Sequence, residues 1–134
     1  MKTICCFVLV FASLCVAAEP PKFSVSRSFK RPLMEVRAAV LTYCDEAKTN
    51  HHAWATLHAK DEPGRFTQIW MDCGDAPPGA LTGEFIVTSE PSGTTRLEVR
   101  TGATLAQDTK AEEARRRRTT NTLAGIVAVL ERKP

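Results

Sequence analysis

The spacing of apolar positions changes several times along the chain, and each change marks an element. Phe23, Val25 and Phe29 alternate with Ser24, Ser26 and Ser28, which predicts a short half-buried strand. After Pro32, a residue suited to a first helical turn, Leu33, Val36, Val40, Cys44 and Ala47 recur three or four apart. That spacing predicts a helix with one buried stripe, running to about Lys48, with Asn50 closing it.

Four more alternating stretches follow. Ala53, Ala55, Leu57 and Ala59 are expected to face the core, with Trp54, Thr56 and His58 outside. In 66–73 the inward set is read as Ile69, Met71 and Cys73, leaving Phe66, Gln68, Trp70 and Asp72 outside. Leu81, Phe85 and Val87, then Leu97 and Val99, are the inward sets of the last two strands, with Thr82, Glu84, Ile86, Arg96, Glu98 and Arg100 opposite. Glu62-Pro63-Gly64 and Pro91-Ser92-Gly93 are turn signals, and residues 74–79, with Pro77-Pro78, form a rigid loop. Thr109 and Glu112 have capping-box spacing, and Ala111, Ala114, Leu123, Ile126, Val127 and Leu130 supply the buried side of a final helix.

The order is β-α-β-β-β-β-α. Consecutive strands on short turns favour an antiparallel meander, and two helices on one face make it an α+β two-layer sandwich. The expected organisation is a leader, residues 1–18, and one α+β domain, residues 19–134.

The leader rests on Lys2, the apolar run from Ile4 to Val16 and the small residues of Val16-Ala17-Ala18 before Glu19. A run that short falls below membrane-spanning length. It predicts export to the secreted or periplasmic space. Acylation at Cys15 would instead give a lipoprotein, but bulky Leu14 and small Ala12 both depart from the lipobox pattern. Removal of the leader leaves Cys44 and Cys73, an even pair that predicts one disulfide.

The residues 32–36 (Pro-Leu-Met-Glu-Val), 81–87 (Leu-Thr-Gly-Glu-Phe-Ile-Val) and 93–99 (Gly-Thr-Thr-Arg-Leu-Glu-Val), in this chain order, resemble the helix-grip-like sandwiches of small bacterial envelope proteins, such as the repeated domains of outer-membrane assembly lipoproteins. The resemblance implies a non-catalytic envelope role and transfers no functional residue.

Composition adds boundaries. The chain of 134 residues is 43% hydrophobic and 25% charged, an ordinary globular balance. A net charge of +3 is too small for a dedicated nucleic-acid binder. Nothing supplies a nucleophile motif, a phosphate loop or metal-ligand spacing, so no cofactor and no metal are expected. Adjacent His51 and His52 point to opposite faces of a strand, and His58 is remote along it. Glu84 and Glu98 stand among Arg96 and Arg100, which suits a salt-bridged lattice better than a catalytic dyad.

Two features remain as candidate binding sites. The outward sheet face would carry Trp54, Trp70 and Ile86 among Arg96 and Arg100, an interface-like composition. Arg115, Arg116, Arg117 and Arg118 form a basic run that could meet an anionic surface; four consecutive helical residues point around most of the circumference, so at least one must lie near the sheet. The expected function is a small exported, non-catalytic binding protein with an unidentified protein or envelope partner. The alternative is a carrier or sensor of a small amphipathic ligand held between helices and sheet.

Overall fold

A computed structural model describes residues 23–50, 54–74, 81–102 and 109–132. Its elements are β1 (Phe23–Phe29), α1 (Leu33–Asn50), β2 (Trp54–Glu62), β3 (Arg65–Asp72), β4 (Leu81–Ser89), β5 (Thr95–Thr101) and α2 (Thr109–Glu131). The expected leader with Cys15, the positions His51, His52 and Ala53, and the Pro77-Pro78 loop lie outside the described residues.

The strands form one antiparallel sheet in the order β1-β5-β4-β3-β2. The meander is as expected, and β1 closes it by pairing with the last strand. One buried cluster draws on all seven elements, from Phe29, Val36, Val40 and Trp54 to Phe66, Phe85, Leu97 and Ile126. The protein is thus an open α+β sandwich with the core between helices and sheet.

Local chemistry explains the element ends. The Pro32 carbonyl accepts from the N–H groups of Glu35 and Val36, opening α1. Glu35 in its first turn and Lys48 in its last suit the helix dipole. Gly64 and Gly93 adopt φ of 72° and 80° in the two hairpin turns, a region that favours glycine. In α2, Glu112 turns forward to Arg115 and Arg116. The i, i+4 pair with Arg116 is therefore made, at 3.2 Å.

The parities of β1, β4 and β5 agree with the sequence reading; those of β3 and of the first residues of β2, Trp54 to Thr56, are reversed. Phe66, Gln68, Trp70 and Asp72 are buried, while Thr67, Ile69 and Met71 face out. The reversal puts the larger aromatic side chains in the core and buries two polar groups that find local partners. Gln68 donates its amide to the carbonyls of His58 (2.9 Å) and Ile69 (3.1 Å). Asp72 accepts from the Gly74 N–H at 2.9 Å and pairs with Arg118. In β2, Trp54 lies opposite Asp72 and Thr56 opposite Trp70, so both start on the core side. A register shift between Thr56 and His58 leaves Leu57 as an extra residue, 58% exposed, and changes the parity beyond it.

These reversals correct two expectations. Trp54 and Trp70 are core residues, 7% and 0% exposed, and do not belong to an open face. Cys73 follows the outward parity and is exposed, whereas Cys44 is buried in α1; both are free thiols, and the expected disulfide is absent from the structure. Burial pushes the Cys44 thiol up to about 12, outweighing the opposing effect of Lys48.

Candidate ligand-binding site

The outward sheet face does carry Ile86, Arg96 and Arg100. Ile86 is 4% exposed yet stands outside the main core, opposite Glu98 and Thr67 in register. Arg100 grips Glu98 through two hydrogen bonds of 2.7 and 3.2 Å, and these hold the Glu98 carboxyl below the usual range. Of the salt-bridged lattice expected from the sequence, the Arg100–Glu98 pair is present. A depression of about 240 Å³ lies here, lined by Ile69, Thr82, Gly83, Glu84, Arg100, Thr101 and Gly102. With both tryptophans turned inward, this face has lost its aromatic anchors.

The basic run is divided. Arg115 is buried, its Nη1 donating to the Thr101 carbonyl at 3.0 Å while Nε meets Glu112 at 2.9 Å. Its guanidinium and that of Arg116 lie over the Phe23 ring at 6.0 and 5.0 Å. Arg118 turns toward Asp72, and Arg117 is exposed. The run therefore cannot present four cations to one anionic surface.

Chemistry concentrates elsewhere, at the end of the sandwich where α1 and α2 meet β2 and β3. A smaller cleft, about 140 Å³, opens there between Tyr43 and Ala47 of α1, Trp54 and Asp72 of the strands, and Arg118, Asn121 and Thr122 of α2. Beneath it Trp54 stacks on Trp70 with centroids 4.5 Å apart and planes 12° from parallel. Phe85 continues the stack, 5.8 Å from Trp70. Tyr43 stands edge-on to Trp54 at 6.1 Å and to Phe85 at 6.4 Å.

Two glycines make this arrangement possible. Gly83 faces Trp70 across the β3–β4 pair, and a Cβ on it would sit 2.1 Å from the indole Cζ2. Gly125 of α2 lies under Tyr43, where a Cβ would come within 2.6 Å of Cε2. A glycine inside a strand and another inside a helix were the sequence signals for these close approaches. The sequence reading missed Tyr43, Asn121 and Thr122 altogether, and placed Asp72 outside.

The polar groups are unequally satisfied. Arg118 pairs with buried Asp72 while its side chain remains 29% exposed, so the guanidinium reaches from the ion pair into the cleft. The Thr122 hydroxyl donates to the Arg118 carbonyl at 2.9 Å and shares a hydrogen bond with Tyr43. Burial raises the Tyr43 phenol above its ordinary value, more than Thr122 and Arg118 lower it. The indole Nε1 atoms of Trp54 and Trp70 are buried with no hydrogen-bond partner among the described residues. A buried N–H left unpaired costs about 1–3 kcal/mol, and such a group calls for an explanation. The unpartnered Trp54 donor distinguishes the inner cleft from the larger outer depression, whose Arg100 is already taken by Glu98.

Among the described residues, no group of three or more His, Cys, Asp or Glu side chains could hold a metal ion.

No family model matches the chain, and no curated protein matches it. Solved structures do. Ara h 8.0201 is similar over 84% of this chain and 99% of its own, at 11% identity and a TM-score of 0.51. The Zhui aromatase/cyclase from Streptomyces sp. R1128 is similar over 84% and 94%, at 13% identity and a TM-score of 0.53. A protein from Nitrosospira multiformis is similar over 82% and 93%, at 12% identity and a TM-score of 0.52. The expectation of a non-catalytic protein, drawn from missing motifs and from the architecture, is corrected on the second ground: the same architecture carries an aromatase/cyclase, so the fold does not exclude an enzyme. What these likenesses establish is the architecture: the chain has the helix-grip-like α+β fold.

Proposed function

We propose that the protein binds a small, ring-sized ligand in the cleft between α1, α2 and the β2–β3 end of the sheet. The observation that carries this reading is the cleft walled by Tyr43 and Trp54, with the Trp54 indole N–H lacking a hydrogen-bond partner among the described residues. The volume supports it: an apolar cavity of about 150 Å³ takes one benzene ring, and this cleft holds about 140 Å³. Its walls combine aromatic surface with a few convergent polar groups, the usual make-up of small-molecule sites. This is the carrier-or-sensor alternative of the sequence reading, now with a location.

The chain contains two tryptophans, and both belong to the stack, so intrinsic fluorescence reports on the site directly. Titration with toluene, phenol, acetophenone, benzamide and benzoate should give a saturable change with at least one of them. A flat response to all five would end the reading.

We also propose that the protein works outside the cytoplasm, on the strength of Lys2, the apolar run 4–16 and Val16-Ala17-Ala18. Terminal sequencing of the exported form should begin at Glu19; a terminus at an acylated Cys15 would make it a lipoprotein instead.

A further inference from the structure

The strongest free hydrogen-bonding groups of the cleft are donors. Of the two indoles only that of Trp54 lines it, and its N–H, which can only donate, has no partner among the described residues. A guanidinium carries five N–H donors in a planar fork, of which one carboxylate takes two at most. Arg118 therefore keeps donors beyond those facing Asp72, and its partial exposure brings the group to the cleft. Among the described residues the one carboxylate lining the cleft is Asp72, and it already accepts from Gly74 and Arg118. The Asn121 amide can serve in either sense and does not discriminate. A ligand that offers an acceptor would meet the remaining donors of Arg118, while the carboxylate that would take a ligand's donor most strongly is already occupied.

We propose that Arg118 is the specificity-determining residue of this cleft and reads an acceptor oxygen, from a carbonyl or a carboxylate, borne directly on the ligand's ring. This rests on the small-ligand reading above and names the chemistry it selects. The oxygen and the ring lie in one plane, which suits both the flat guanidinium fork and the aromatic walls of Tyr43 and Trp54. The two sources of that oxygen differ in charge. Asp72 already neutralises Arg118, so a neutral carbonyl enters without placing a second anion beside a buried carboxylate.

The test compares acetophenone, benzamide and benzoate with toluene and phenol, by tryptophan fluorescence on the intact protein. Acetophenone or benzamide should bind at least tenfold more tightly than toluene or phenol. Replacing both members of the ion pair, Arg118→Met with Asp72→Asn, leaves no buried charge unpaired and should abolish that preference. Asp72→Asn alone retains the arginine and removes its counter-charge, so benzoate should gain at least tenfold relative to acetophenone; this arm stands even if the double variant does not fold. Equal binding of acetophenone and toluene, an unchanged preference in the double variant, or no gain for benzoate in Asp72→Asn would each overturn the proposal while leaving the cleft as a ligand site. A failure of all five probes to bind would remove both.

Discussion

Trp70 lies against Gly83 across the β3–β4 pair, its indole occupying the space that any side chain at position 83 would need. Substituting Gly83→Ala forces the indole to move against Trp54 and Phe85, both already stacked on it. Overpacking of this kind costs about 1–3 kcal/mol. Chemical denaturation should show the loss, and the tryptophan emission of the folded variant should shift. An unchanged emission spectrum and midpoint would mean that the indole does not rest where the structure places it.

Truncating the tryptophans separates a core role from a surface one. Trp70→Ala should cost about 3–5 kcal/mol of stability, the usual loss for a buried large aromatic. Trp54→Ala should also destabilise, since its ring is 7% exposed and stacked. A thermal midpoint within a degree or two of the parent for both variants would restore them to the open face and refute the inward parity of β3.

The arginine run offers a contrast within four residues. Arg115 is 2% exposed, bonded to Glu112 and to the Thr101 carbonyl, and its neighbour Thr119 shares a buried hydrogen bond of 2.8 Å with Thr101. Removing Arg115 leaves that carbonyl without its donor and opens a gap beside Phe23. Arg115→Ala should therefore lower stability by about 2 kcal/mol or more, whereas exposed Arg117→Ala should stay within about 0.5 kcal/mol. Equal midpoints for the two would show the run to be a solvated segment throughout.

The two thiols should behave differently. Cys73 is exposed and should react with iodoacetamide in the folded protein, while buried Cys44, with its thiol pushed up to about 12, should not. Peptide mapping reads this directly. The same shift sets a pH dependence. The folded state holds the Cys44 proton above the ordinary value of 9.0, so the unfolded chain loses it first and stability falls as pH rises from about 9 toward about 12. A Cys44→Ala variant should lose less stability than the parent over that interval; parallel curves would refute the raised pKa.

How far the fold could be read from the chain depended on whether the two faces of a strand differed in kind. In β1, β4 and β5 the outward positions carry mostly serine, threonine, glutamate and arginine, so the alternation was legible, and the two helices followed from their apolar stripes. β3 has Ile69 and Met71 on one face and Phe66 and Trp70 on the other, so hydrophobicity alone left the choice open. Gln68 and Asp72 weigh toward the wrong face, because their partners are a carbonyl beside a bulge, a backbone N–H beyond the strand and an arginine some 46 residues on. The bulge at Leu57 had no composition signal. The cleft was illegible for the same reason: Tyr43, Asp72 and Arg118 become neighbours only once β3 has the right face inward.

The extra residue at Leu57 also bears on how the molecule behaves among its own copies. β2 is an edge of the sheet, a row of backbone groups on which a second chain could in principle add a strand. The bulge interrupts that row partway along, and Lys60, Asp61 and Glu62 place charges on its exposed far half. Asp61 is held there by Arg37 through two hydrogen bonds of 3.1 and 3.0 Å, so adding a strand would have to contend with a fixed ion pair as well as a kinked backbone. The same irregularity that obscured the parity of β2 thus protects that edge against fibrous self-association.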